Sequence, residues 1–314
     1  MKESVIDVRG VRKRYGEVLA VDDVSFGVSA GRLYGLIGHN GAGKSTLIKL
    51  MLGLLAPDAG SITILGEPVL GPRFREVRRR IGYLPENVSL YDNLTGAETL
   101  RFYADMKAVD PRGCGALLER LQLAHAAHRP VRTYSKGMRQ RLGFAQALLG
   151  DPRVLFLDEP TSGLDPEGIR EFYRLLHDLK QQGVTVLLSS HNLAQLQDRV
   201  DGLALIRSGR LQAAGTIQQL REALNLPVRI HAAWRPDVNG SPQSLLRGFG
   251  GCTIDTREDG ECTITCAQRD KVGVLSALLA AEHAPRDLRV QEPSLEDVFL
   301  GYSAAPEQDD NAQV

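Results

Sequence analysis

An α/β domain on a largely parallel sheet, interrupted by a helical insertion and followed by a small α+β domain, is the fold this sequence predicts. Three observations predict it. Short apolar runs alternate with amphipathic helical stretches from Val5 to about Leu224, the rhythm of strands joined by crossover helices. Between about Asn87 and Gly150 that rhythm gives way to mostly helical patterning. After Asn225-Leu226-Pro227 a new order begins, strand, helix, two strands, helix, strand, which is that of a ferredoxin-like unit.

The runs Leu33–Ile37, Ile81–Leu84, Val154–Leu157, Val184–Ser189 and Leu203–Ile206 are short and almost wholly apolar, as strands covered on both faces are. Thr95-Gly96-Ala97-Glu98 has capping-box spacing ahead of Leu100–Met106, and Asp110-Pro111 gives an N-cap followed by proline at the first turn. Arg73–Arg80 carries five arginines in eight positions. In a neutral chain this reads as a solvated helix face rather than a site for acidic partners or lipid headgroups. In the second domain Val228–Ala232, Cys252–Thr256, Glu261–Cys266 and Leu288–Gln291 are expected strands, Ser244–Gly248 a short helix and Lys271–Ala281 a longer one. Arg257-Glu258-Asp259-Gly260 is a hairpin turn signal. Ser294-Leu295-Glu296-Asp297 caps a last helix to about Tyr302, and the polar, acidic stretch 304–314 is expected to be disordered. The expected domains are therefore 1–224, with the helical insertion at about 87–150, and 225–303.

Composition removes several function classes. The 314 residues hold 38 Lys+Arg and 38 Asp+Glu, so the electrostatic footprint of a nucleic-acid binder is missing. No apolar run approaches the ~20 residues that span a bilayer, and Met1-Lys2-Glu3-Ser4 opens no signal peptide. The chain is expected to be cytoplasmic and to serve a membrane only through a partner that spans it. Four cysteines are too few for a disulfide framework.

Gly38-His39-Asn40-Gly41-Ala42-Gly43-Lys44-Ser45-Thr46 fits G-x-x-x-x-G-K-[ST], with an apolar strand before it and an apolar-faced helix after it. Glycines let successive N–H groups turn inward onto phosphate oxygens, and the helix N-terminus adds positive potential. Lys44 would neutralise β- and γ-phosphate charge and Ser45 would ligate Mg²⁺. A chance glycine-rich turn is disfavoured by the correct flanking elements. Val154–Leu157 ends in Asp158-Glu159. Asp158 suits the metal's outer shell, and Glu159 sits where a general base polarises water. Alone, that pair would read as a solvated strand end.

Tyr134-Ser135-Lys136-Gly137-Met138-Arg139-Gln140-Arg141-Leu142, followed by Asp158-Glu159-Pro160-Thr161-Ser162-Gly163-Leu164-Asp165-Pro166, resembles the ATP-binding cassette (ABC) family over about residues 3–224. The family signature usually reads LSGGQ; Ser135 and Gly137 match it, while Lys136 and Met138 are departures familiar in cassettes of ABC-2-type exporters. The resemblance implies a P-loop ABC ATPase fold, ATP and Mg²⁺ as cofactors, and a head-to-tail homodimer in which Ser135 and Gly137 cover the partner's nucleotide. It implies Tyr15 as the adenine-stacking aromatic, Ser162-Gly163-Leu164-Asp165 as the dimer-contact loop, and His191 as the γ-phosphate switch. Glu86 stands where the family has a glutamine; its carboxylate can ligate Mg²⁺ and adds negative charge near the phosphates. The site expected on this basis is Glu159 and His191 for hydrolysis, Tyr15 and 38–46 for ATP, and Ser45, Glu86 and Asp158 for the metal.

A finer resemblance, to cassettes that serve copper-site assembly in nitrous oxide reductase, rests on Gly38-His39-Asn40, Tyr83-Leu84-Pro85-Glu86-Asn87-Val88, the Tyr134–Leu142 segment and Leu226-Pro227-Val228-Arg229-Ile230. It implies a membrane permease dimer and a periplasmic subunit as partners. Cys252, Cys262 and Cys266 read mainly as small core residues; a Cu(I) thiol site is the alternative. Against a transporter ATPase stand two other classes. A soluble cassette ATPase acting on DNA or ribosomes usually carries a long coiled coil or two cassettes, and neither is seen. A degenerate ATP-gated binding module is opposed by the presence of both Glu159 and His191.

Overall fold

The computed structural model describes residues 4–234, 245–246, 248–256, 261–281 and 284–304. The chain divides into two compact units, Met1–Gly215 and Thr216–Val314. The division falls before Thr216 rather than at the expected 224/225, because Ile217–Ala223 belongs with the second unit. There a Cβ on Gly301 would meet Leu224 side-chain atoms at 2.8 Å.

The first unit has two sheets. One is antiparallel, in the order β2-β1-β4-β5, from β1 (Ser4–Tyr15), β2 (Val18–Ser29), β4 (Ala59–Ile64) and β5 (Glu67–Pro68). The sequence rhythm did not separate this sheet from the parallel one. Its two long strands alternate in burial, with Ile6 and Val8 inside and Arg9 outside, and several bulges break their register, so the period-2 signal is interrupted. The second sheet runs β10-β9-β3-β8-β7-β6: β3 (Leu33–Ile37), β6 (Ile81–Leu84), β7 (Val154–Leu157), β8 (Thr185–Ser190), β9 (Gly202–Arg207) and β10 (Arg210–Gly215). Its strands pair in parallel except at β9–β10. Strands β3, β7 and β8 are buried at every residue. Ile6, Val8, Phe26, Tyr34, Leu36, Leu47, Ile48, Phe156 and Leu187 form one core that unites both sheets with α1 (Lys44–Met51).

The short helix α2 (Phe74–Arg78) buries Phe74 and Val77 and turns its arginines outward, as expected of a solvated face. Arg78 also donates to the Gly53 carbonyl at 2.9 Å. The helical insertion is α3 (Gly96–Lys107), α4 (Cys114–Arg120) and α5 (Lys136–Leu148). Thr95 caps α3 in a full capping box, with Glu98 N–H donating to Thr95 Oγ1 and Thr95 N–H donating to Glu98. Lys107 ties the insertion to β6 by donating to the Ile81 and Leu149 carbonyls at 3.1 and 2.7 Å. After β7 comes α6 (Pro166–Gln181), capped by Asp165. After β8 comes the short α7 (Leu193–Leu196).

The second unit contains α8 (Ile217–Ala223), β11 (Val228–Ala233), β12 (Thr253–Thr256), β13 (Glu261–Cys266), α9 (Lys271–Leu279), β14 (Asp287–Gln291) and α10 (Leu295–Ala304). Its antiparallel sheet has the order β12-β13-β11-β14, the strand order of the ferredoxin-like unit the sequence predicts. Ser294 caps α10, accepting from Asp297 N–H at 3.1 Å. Cys262, Ile264 and Cys266 alternate into the core beside Val228, Ile230, Val274 and Leu278, so the cysteines serve as small core residues. Among the described residues no group of three or more His, Cys, Asp or Glu is placed to hold a metal ion. The turn expected at Arg257–Gly260, Ser244 and Arg247 of the short helix, and 305–314 of the tail lie outside the described residues. Among the described residues no helix is long and apolar enough to cross a membrane.

Asp201, just before β9, ties the start of β3 to α6. Its carboxylate accepts from Leu33 N–H at 2.8 Å and from Lys180 Nζ at 2.6 Å, and Arg32 lies at 3.4 Å. Burial pushes its pKa up, but Lys180, the Leu33 N–H and Arg32 together carry it below the ordinary carboxylate value. A group titrating lower when folded contributes stability that is complete above its unfolded pKa of about 3.9 and drains away as pH falls through the folded value. Urea unfolding should therefore show the wild type losing stability below about pH 4, with Asp201→Asn less stable at neutral pH and flatter in that acid window.

Candidate functional site

The site grows from the C-terminal ends of three adjacent parallel strands. Leaving β3, the chain turns through Gly38, where an added Cβ would lie 2.3 Å from the Ile206 carbonyl. Gly41 and Gly43 adopt positive φ, +82° and +102°. Gly43 also passes so close to β2 that an added Cβ would stand 2.4 Å from the Ala20 carbonyl. Only glycine fits both demands. The loop is braced from below, because Gly209 N–H donates to the Ala42 carbonyl at 3.0 Å and Asp22 N–H to the Gly209 carbonyl at 2.8 Å. Helix α1 then starts at Lys44 with no side chain capping its N-terminus, leaving its first N–H groups free to meet an anion.

Lys44 is buried, and its ammonium curls back to donate to the Gly38 and His39 carbonyls at 2.7 and 3.1 Å. It also lies 3.6 Å from Glu159 Oε1. Glu159 follows β7 with φ +46°, a left-handed conformation that costs a side-chain-bearing residue about 1–3 kcal/mol. In that pose its N–H donates to Ser189 Oγ at 2.9 Å, and Ser189 Oγ donates to Asp158 Oδ1 at 2.6 Å. The other carboxylate oxygen, Oε2, faces His191 Nδ1 at 2.9 Å. Glu159 Oε1 is buried without a hydrogen-bond donor. Oε2 is thus held by His191, while Oε1 faces the Lys44 ammonium.

A cleft of about 590 Å³ is lined by 40–46, Glu86, Glu159, Val18–Ala20 and Ser208–Gly209. The structure thus gathers most of the predicted residues in one place. Asp158 lies behind the cleft, hydrogen-bonded to Ser189. Tyr15 stands exposed at the end of β1, with Lys13 Nζ 5.9 Å from its ring centroid, and does not line the cleft. Ser135 and Gly137 do not line it either. Ser135 caps α5, accepting from Met138 N–H at 3.2 Å, and is exposed. Gln140, in the signature segment, donates to the Pro160 carbonyl at 3.1 Å, just ahead of Ser162–Asp165.

Two phenols flank the carboxylates. Burial, with the Asp158 charge adding, pushes Tyr83 up to about 12. Burial likewise pushes Tyr173 to about 12, against the Arg199 guanidinium 4.5 Å from its ring centroid and with Glu159 adding. Both stay protonated at neutral pH. Sequence reasoning missed Ser189 and the Ser208–Gly209 turn. Two serines closing an otherwise apolar strand directly before His191 were the available signal for the first. The second had none, since it is brought in by tertiary contact.

A glycine loop at the end of a buried parallel strand, a lysine at the following helix start and a carboxylate at the end of a parallel strand two places along the sheet define a P-loop nucleotide-binding protein. Residues 21–162 match the ABC transporter family model. The chain is 36% identical over 305 residues to the daunorubicin resistance ATP-binding protein of Streptomyces coeruleorubidus, covering 96% of each chain. It is 38% identical over 313 residues to the Nod factor export ATP-binding protein I of Burkholderia orbicola (strain AU 1054), covering 98% of this chain and 100% of the other. A solved ATP-binding subunit of an ABC transporter matches with a TM-score of 0.65 at 34% identity, over 70% of this chain and 93% of that one. The chain belongs to the ATP-binding proteins of ABC transporters; it binds ATP and is an ATPase. Proteins of this family work with transmembrane permease partners.

Replacing Gly43 with alanine should abolish nucleotide binding, since both its backbone angle and the Ala20 carbonyl forbid a Cβ. Titration with a fluorescent ATP analogue should show no saturable binding while circular dichroism stays native.

Proposed function

We propose that this chain is the ATP-hydrolysing subunit of an ABC-2-type exporter, acting as a head-to-tail homodimer docked on its permease at the cytoplasmic face of the membrane. One observation carries the dimer: the nucleotide cleft and the signature residues Ser135 and Gly137 do not meet within one chain. Gly137 strengthens it. An added Cβ there would meet nothing closer than 3.7 Å, and its φ is not positive, so no contact inside the chain demands a glycine. A second chain approaching the bare backbone of a helix N-terminus does.

In this reading Lys44 and the 38–46 amides hold the β- and γ-phosphates of ATP, and the partner's copies of Ser135 and Gly137 close over them. Tyr15 stacks on the adenine. Mg²⁺ fits the donor set, since Ser45 and Glu86 bring hard oxygens to the same cleft and this ion is usually held by one or two carboxylates plus substrate phosphates. Asp158, hydrogen-bonded to Ser189, would help hold the ion as a further carboxylate. When bound, the ion supplies charge neutralisation to the phosphoryl group. Glu159 takes the proton of the attacking water through Oε1, and His191, held on Oε2, contacts the γ-phosphate. ATP favours the closed dimer because only that state makes both sets of phosphate contacts. Hydrolysis removes them, and the permease feels the opening.

Glu159→Gln should bind ATP, hydrolyse it about 10²–10⁴-fold more slowly and run as a dimer in size-exclusion chromatography with ATP. A variant that stays monomeric at saturating ATP and hydrolyses normally overturns the assignment.

The finer reading of cargo is that the chain resembles NosF, with a NosY-like permease and a NosD-like periplasmic subunit moving a copper- or sulfur-containing species for nitrous oxide reductase. The relatives named for daunorubicin resistance and Nod factor export favour a second reading, export of a drug, lipid or polysaccharide. Deleting the gene separates them. Copper-deficient nitrous oxide reductase supports the first, and normal reductase with heightened sensitivity to amphiphilic drugs supports the second.

A further inference from the structure

The second unit carries a pair of thiols with no part in ATP chemistry. Strands β12 and β13 pair antiparallel with Thr253 opposite Thr265 and Ile254 opposite Ile264. Continuing that register by one residue puts Cys252 opposite Cys266. Both then share the face of Ile254 and Ile264, which turns toward the core. The Cys252 N–H is spent on the Phe249 carbonyl at 3.2 Å, not on β13. Directly opposed residues of an antiparallel pair have Cα atoms about 4.5–5.5 Å apart. That spacing lies inside the range a disulfide spans, about 4.4–6.8 Å. Both thiols pack at the same apolar core cluster. Access is one-sided, since Cys266 is 1% exposed whereas Cys252 is half-buried.

Cys262 is not a competitor. It faces Ala232 and Thr256 and lies four residues along the strand from Cys266, about 13 Å away.

We propose that Cys252 and Cys266 form a dithiol modification site that a low-molecular-weight disulfide oxidises to an intramolecular bridge, fastening β12 to β13. The Cys252 thiolate attacks the reagent disulfide, whose S–S bond breaks, leaving a mixed disulfide and releasing one reagent thiolate. The Cys266 thiolate then attacks the Cys252 sulfur, and the second reagent thiolate departs. Two cysteines are oxidised, one reagent disulfide is reduced to two thiols, and the two cysteine protons end on those thiols.

Rate is governed by thiolate supply. Burial, with the Cys252 thiol and Asp270 adding and Lys271 opposing, holds Cys266 up at about 11. Burial and Asp270 also raise Cys252. The bridge accordingly forms slowly at neutral pH and faster as pH rises. The site stays reduced in a thiol-rich compartment and records sustained oxidation.

The test uses the full chain, reduced and then incubated with excess oxidised glutathione at neutral and at mildly alkaline pH, with free thiols blocked by a maleimide after denaturation. Half of the four thiols should be lost, faster at the higher pH. Peptide mapping should find one linked pair containing Cys252 and Cys266. Cys252→Ser, at the accessible edge, should abolish the loss, and Cys262→Ser should leave it unchanged. A glutathione adduct that persists on Cys252 with Cys266 still alkylated, a bridge through Cys262, or four unreacted thiols would overturn the proposal. Circular dichroism of each variant separates a lost site from a lost fold.

Discussion

A buried ammonium must find partners, and in this protein the Lys44 ammonium finds them across two strands. It is 6% exposed, held by two carbonyls of its own loop and faced by Glu159. Leaving a buried charge unpaired costs about 3–5 kcal/mol, more than the roughly 1–3 kcal/mol of the left-handed backbone that aims Glu159. Pairing therefore wins over strain. The same pose gives Ser189 the Glu159 N–H, gives Asp158 the Ser189 hydroxyl, and offers Oε2 to His191. One electrostatic demand thus fixes the ends of β3, β7 and β8 together, where a parallel sheet presents its ligand crevice.

The sheet order makes that convergence possible. Strands β3, β8 and β7 are adjacent, although they are separated along the chain by the helical insertion and by α6. The antiparallel sheet supplies the other wall, since β2 delivers the Ala20 carbonyl against Gly43 and the β9–β10 turn braces Ala42. The phosphate loop is held by backbone from three elements, which suits a loop that must keep its amides aimed inward.

Much of this was legible in residue order. The strands Leu33–Ile37, Ile81–Leu84 and Val154–Leu157 coincide with the observed elements, because a buried parallel strand is a short apolar run bounded by turn residues. The caps at Thr95 and Ser294 could be read because a capping box is a contact within four residues. The antiparallel N-terminal sheet was not legible, since bulges break its alternation, and the attachment of 217–223 to the second unit rests on packing at Leu224 and Gly301.

The sequence by itself determined the chemistry on offer: the glycine loop, Lys44, the carboxylate pair, His191 and the signature segment are local patterns whose meaning survives without coordinates. Only the tertiary structure decided how they are shared out. It paired Lys44 with Glu159 and set His191 against the same carboxylate, brought in Ser189 and the Ser208–Gly209 turn, left Ser135, Gly137 and Tyr15 away from the cleft, and paired β12 with β13 beside the cysteines. The physical reason is that these relations depend on strand order and register, which are chosen by burial of the whole core rather than by neighbours in the chain.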